Sequence, residues 1–199
     1  MDLFDAFDEL TVMRTMAGQT VERGSLDGSL ALLTSYDVSL VHHPPAEVMR
    51  EVPPISSHNA DVVRQYLDAL TLAEMDAHAF AAWVDASVPD PPAEDCPHCG
   101  GDGCAVTSGN PEGCAWTRYR APRPVSVYGT VVNAGCLHAA TAFLDLGGRV
   151  RAGVWDLTLI LRGEGWTYVL RGMRQGVTPM RFWPEAEDAT ARLRATVLS

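Results

Sequence analysis

The chain has 199 residues, 47% of them hydrophobic and 20% charged, which is ordinary globular composition and enough length for one or two domains. All 15 basic residues are arginine, so chemistry that needs an amine, from the phosphate-loop lysine to a Schiff base, has no residue to run on. The net charge of −10 is uneven: residues 1–100 hold 17 acids and 4 arginines, residues 101–199 hold 8 acids and 11 arginines. That split suits contact between the halves or head-to-tail association of copies, and does not suit a generally basic nucleic-acid binder.

In chain order, Leu3, Phe4, Phe7, Leu10, Met13 and Met16 recur at helical spacing and predict an amphipathic helix that stops at Gly18. Residues 29–34 and 37–43 are short apolar or alternating runs, expected as two neighbouring strands ended by Pro44-Pro45. From Ala46 to about Val88 the period turns helical: Val62, Val63, Tyr66, Leu67 and Leu70 share a face, and Thr71-x-x-Glu74 reads as a capping box opening a second helix with Met75, Phe80, Trp83 and Val84. Residues 89–124 are rich in Pro, Gly and Cys, and so long an irregular stretch needs something to hold it. Then come a strand at 125–128, an N-cap at Asn133, a short helix with Leu137, Ala140, Phe143 and Leu144 ended by Gly147-Gly148, and three strands at 149–153, 155–162 and 166–173. Residues 184–198 predict a last helix.

No apolar run approaches the ~20 residues of a membrane-spanning helix, and the acidic start, Met1-Asp2-Leu3-Phe4-Asp5, lacks the basic character of a signal peptide. The expectation is a soluble cytoplasmic protein without membrane contact. There, clustered cysteines point to metal before disulfide. Cys96-Pro97-His98-Cys99-Gly100-Gly101-Asp102-Gly103 has the C-x-x-C-x-G-x-G form, whose tight turn lets two thiolates reach one tetrahedral zinc. Cys96, Cys99, Cys104 and Cys114 are the expected ligands of a structural zinc, with His98 as a candidate substitute. The motif is similar to one repeat of the cysteine-rich modules of DnaJ-type chaperones, with the second pair nine residues apart instead of two.

Catalytic readings find less to work with. The deaminase pattern His-x-Glu with Pro-Cys-x-x-Cys is absent, as are His-Glu-x-x-His and Gly-x-Ser-x-Gly. His42 and His43 at a strand end, with Asp37, are the best candidates for an enzyme, and the sequence supplies no geometry for them. The expectation is a non-enzymatic protein.

The helix-then-strands unit occurs twice, in about 2–45 and 125–174, which is a sign of internal duplication. The run Asp27-Gly28-Ser29-Leu30-Ala31-Leu32-Leu33-Thr34-Ser35-Tyr36-Asp37-Val38-Ser39-Leu40 resembles the first half of a domain of the bacterial DNA polymerase sliding clamp, the β subunit. Val132-Asn133-Ala134-Gly135-Cys136-Leu137 resembles the helix entry of that clamp's last domain, and Tyr168-Val169-Leu170-Arg171-Gly172-Met173-Arg174 its closing strand. The resemblance implies an α+β, DNA-clamp-like domain: two βαβββ halves with antiparallel sheets, at 1–45 and 125–182. A helical and Cys-rich zinc-binding insertion would fill 46–124, with a C-terminal helix at 183–199. It implies replication or repair proteins as partners and self-association into a ring, and carries partner binding onto Tyr168, Val169, Met173 and Arg174. DNA contact stays open, because the first helix offers Arg14 against four acids and the second only His138. A second reading makes the insertion the binding element, with Arg118 and Arg120 beside the zinc loop as the partner contacts and no encirclement of DNA.

Overall fold

The computed structural model describes residues 2–16, 19–67, 71–88, 93–96, 100, 114–115, 123–173 and 180–181. Helix α1 (Leu3–Met16) starts at Asp2, whose carboxylate accepts from the backbone N–H groups of Phe4 and Asp5 at 2.8 and 2.9 Å, satisfying donors that a helix start leaves unpaired. Its periodic residues Ala6, Phe7 and Leu10 are buried, while Asp5, Asp8 and Glu9 face outward.

Three strands follow as an antiparallel meander: β1 (Glu22–Leu26), β2 (Ser29–Leu33) and β3 (Asp37–Val41). The first hairpin turns on Asp27-Gly28, with φ of 47° and 82°, the two left-handed positions of the tight turn whose twist matches its strands. After the short helix α2 (Ala46–Met49), helix α3 (Ser57–Leu67) crosses the sheet. Strand β4 (Thr71–Asp76) leads into helix α4 (Ala77–Ser87). Beyond residue 122 the chain forms the hairpin β5 (Pro124–Val127) and β6 (Thr130–Asn133), helices α5 (Ala134–His138) and α6 (Thr141–Leu144), a second meander of β7 (Arg149–Trp155), β8 (Thr158–Gly163) and β9 (Trp166–Arg171), and the two-residue strand β10 (Met180–Arg181).

The fold is α+β. Seven strands run in the order β1-β2-β3-β9-β8-β7-β4, every neighbour antiparallel, and a small sheet runs β10-β5-β6. The helix-then-meander repeat is visible in this order: α1-β1-β2-β3 and α6-β7-β8-β9 meet through their last strands, with Val38 opposite Val169 and Ser39 opposite Tyr168. On one sheet face, α1, α4, α5 and α6 pack over Leu30, Leu32, Leu159, Leu161, Trp166 and Tyr168. On the other, α3 lays Ala60, Val63 and Tyr66 over Ala31, Leu33, Leu40, Ile160 and Val169. Each fully buried Leu or Phe in these layers contributes roughly 1.5–3 kcal/mol.

The structure departs from the periodicity at 71–76. Thr71-x-x-Glu74 opens no helix there; the segment pairs with β7 as an edge strand, and Asp76 is the cap, accepting from Ala79 N–H at 2.8 Å. A tertiary ladder overrides a local signal. Asn133 does cap α5, accepting from Gly135 N–H at 3.1 Å, and Gly147 and Gly148 end α6 at φ of 76° and 87°. The predicted C-terminal helix lies outside the described residues.

Where β9 leaves the sheet, Gly172 passes against the β7–β8 turn so closely that a Cβ there would collide with the carbonyl of Leu157. Gly172→Ala should therefore cost about 1–3 kcal/mol and lower the melting temperature by roughly 2–12 °C. Gly135→Ala, whose Cβ would meet nothing nearer than Asn133 Oδ1 at 3.6 Å, should be neutral or slightly stabilising. Thermal unfolding of the two variants side by side checks both.

Candidate functional site

Two polar constellations stand at the junction of the two meanders. The first is buried. Arg14 on α1 places Nη2 against Asp37 on β3, 2.8 Å from Tyr168 Oη on β9 and 3.0 Å from the carbonyl of Cys136 on α5. Tyr168 Oη in turn lies 2.6 Å from Asp37 Oδ2 and 3.1 Å from that carbonyl, and Thr34 donates its hydroxyl to Asp37 Oδ1. Burial opposes the charge on Arg14, but the Asp37 carboxylate against it, with the Tyr168 oxygen as a further acceptor, outweighs it and holds the guanidinium above its usual range. Burial, then the neighbouring Asp37, pushes the Tyr168 phenol well above the usual tyrosine value. Both directions favour the protonated forms of Arg14 and Tyr168, and the contact of Nη2 with Asp37 makes the cluster a buried ion pair. The half-buried Cys136 thiol is also pushed up, chiefly by burial, which makes it a poor nucleophile.

The second constellation is a cleft of about 390 Å³ between α3 and the sheet. Its floor is a cross-strand row, Leu33, Val38 and Val169, in direct register on β2, β3 and β9. Val62, Val63 and Tyr66 of α3 form the facing wall. The helix is held there by polar contacts at both ends. At its start, Glu22 accepts from Ser56 N–H at 2.8 Å and from Asn59 Nδ2 at 2.6 Å; an anion at a helix N-terminus is favourable. At its end, Arg162 donates to the carbonyls of Tyr66 and Leu67 at 2.9 and 2.6 Å. Arg64 makes a two-pronged contact with Asp27 at 2.7 and 2.8 Å, which draws the Asp27 carboxyl below its usual value.

Of the residues to which partner binding was carried, Tyr168 and Val169 are buried, Tyr168 in the ion cluster and Val169 in the cleft floor. Met173 is half-buried and donates its N–H to Val131 at 2.7 Å. Arg174, Arg118 and Arg120 lie outside the described residues. Of the expected zinc ligands, Cys96 is buried and Cys114 half-buried; Cys99, Cys104 and His98 lie outside. Gly100, at φ 62°, donates its N–H to Cys96 O at 2.8 Å. Among the described residues no three His, Cys, Asp or Glu side chains gather as a metal site.

The residues named for an enzyme are kept apart. Asp37 and His42 lie five positions apart along β3 and its exit, roughly 16 Å by strand rise, and Asp37 is committed to Arg14. His42 sits between two hydroxyls, Nδ1 3.0 Å from Ser29 Oγ and Nε2 2.9 Å from Thr167 Oγ1. Neither Glu22 nor Asn59 was legible beforehand, because their grouping with Arg171 of the closing-strand segment arises only from sheet order.

Removing one partner of the buried pair strands the other's charge, so Asp37→Asn should destabilise by about 3–5 kcal/mol, and Tyr168→Phe by roughly 1–2 kcal/mol, read from urea unfolding. A second expectation concerns pH. Burial, then His43 and Arg162, lowers His42 below the ordinary imidazole value of 6.5. The unfolded chain therefore takes up the proton first, and stability should fall as pH drops below about 6.5. Unfolding between pH 5 and 8 should show this slope, and His42→Gln should reduce it.

No protein family, curated protein or solved structure matches this chain significantly.

Proposed function

We propose that this chain is a sliding-clamp-like, non-enzymatic protein of DNA replication or repair that acts through protein contacts. The observation that carries the reading is the junction of two helix-plus-meander units through β3 and β9. It agrees with the resemblance of residues 27–40, 132–137 and 168–174 to clamp segments. A cleft whose floor includes the closing strand supports a role in protein contact, since concave surfaces with an apolar base and a few polar groups are the usual form of a binding site. The unequal charge of the two halves supports head-to-tail association.

One observation favours a variant of this reading. The outward face of α1 presents Asp5, Asp8 and Glu9, and its arginine is consumed in the buried pair. A helix face of that charge repels phosphate. The second reading is accordingly a zinc-stabilised interaction module on a clamp-like scaffold, without DNA threaded through it. The zinc, bound by Cys96, Cys99, Cys104 and Cys114, would cross-link the 89–124 segment and place Arg118 and Arg120 for a partner.

Native mass spectrometry of full-length protein purified without chelator reports copies per assembly and metal per chain in one spectrum. A closed oligomer with one zinc per chain is the expected result of the first reading, and a zinc-loaded monomer that still captures replication proteins that of the second. A metal-free monomer that captures none in a pull-down overturns both.

A further inference from the structure

The cleft beside α3 has a polarity along its length. Glu22 stands on β1 at one end and Arg171 on β9 at the other, three strand spacings apart, or roughly 14 Å. Between them the floor is apolar, formed by Leu33, Val38 and Val169 in register. The charges at the two ends differ in how they are already used. Both oxygens of Glu22 accept hydrogen bonds, but from neutral donors, Ser56 N–H and Asn59 Nδ2. No described residue therefore neutralises its negative charge, and each oxygen accepts only one hydrogen bond from a described residue. The Arg171 side chain is exposed and makes no hydrogen bond or ion pair with any described residue, while its backbone is fixed by Arg171 N–H donating to Tyr36 O at 2.9 Å. The third charged group of the wall, Asp37, is spent on Arg14.

We infer that this groove takes an extended peptide segment of a partner with a basic residue at the Glu22 end, an acidic residue at the Arg171 end and apolar side chains between. The inference rests on the protein-contact reading above and gives the partner its chemistry. An extended chain rises about 3.3 Å per residue, so roughly four residues span the two charges. A guanidinium with no partner among the described residues can offer a bidentate contact to a carboxylate. Carboxylates at both ends of a ligand would instead bring one of them against Glu22. Charge complementarity therefore selects the bipolar sequence over acidic, basic and neutral ones.

The test uses the full-length protein and blocked synthetic peptides with the common core Val-Leu-Val and different ends: Arg and Glu, two Glu, two Arg, or two Gln. Binding is followed by isothermal titration and by chemical-shift changes at Val169 and Val63. The expected result is that the Arg/Glu peptide binds at least tenfold tighter than the Gln/Gln peptide, that the advantage is lost at high salt, and that Arg171→Glu turns the preference toward the Arg/Arg peptide. Arg171 is exposed, so the variant should fold, which its unfolding curve verifies. Equal affinity for all four peptides overturns the charge rule while leaving protein contact through the cleft standing. Absence of binding by every peptide, in a protein that does capture partners in a pull-down, overturns the groove as the contact site and leaves the wider reading intact.

Discussion

The buried contact of Arg14 with Asp37 and Tyr168 is the constraint around which the two halves of this chain are assembled. Each half is only a helix and a three-stranded meander, too little to close a core by itself. Pairing β3 with β9 fuses them into one sheet, and the cluster draws a residue from α1, from β3 and from β9, and a carbonyl from α5, into a single polar knot at the seam. A charge pair taken out of water adds little net stability against an apolar replacement, but breaking it is costly. Its effect is therefore on register. A slip of one residue between β3 and β9 would turn Asp37 to the α3 face and leave Arg14 buried without its counter-ion.

This arrangement divides the sheet between two tasks. On the α1 side Phe7, Leu137 and Phe143 of the helices pack with Trp166 of the sheet, while α1 turns Asp5, Asp8, Glu9, Val12 and Thr15 outward. Among the described residues the other face is covered by α3, and the cleft is the space the helix leaves at the ends of β2, β3 and β9. Polar contacts at each end of α3, through Glu22 and Arg162, hold the helix at that distance. The cleft is thus a consequence of helix placement.

Much of this was legible in the sequence where the physics is local. The 3.6 period of α1, the short apolar or alternating runs of β2 and β3, the Asn133 cap and the Gly147-Gly148 stop all depend on residues near one another in the chain, and the structure places a helix, two strands, a cap and a stop there. The failures are non-local. Glu22–Leu26 carries Glu, Arg, Gly and Ser and has no strand signature; it is a strand because β2 lies beside it, with residues 53–55 along its other edge. Thr71–Asp76 looked helical and is a strand because β7 offers a ladder. Asp37 read as a candidate for an enzyme beside His42 and His43, yet its contacts are set by an arginine 23 positions earlier and a tyrosine 131 later.

The same distinction bears on how the cleft can change. Glu22 serves two purposes, tying the start of α3 to β1 and charging one end of the groove. Altering it for a new ligand would also loosen the helix wall that defines the groove. Arg171 carries no such burden: its backbone bond to Tyr36 is independent of its side chain, and its guanidinium holds nothing else among the described residues. Val169 is likewise locked, since it is floor and core at once. Recognition in this fold is therefore adjustable at one end and fixed along the remainder. Substitution at position 171 is the route by which a chain of this architecture could change partners without first rebuilding its core.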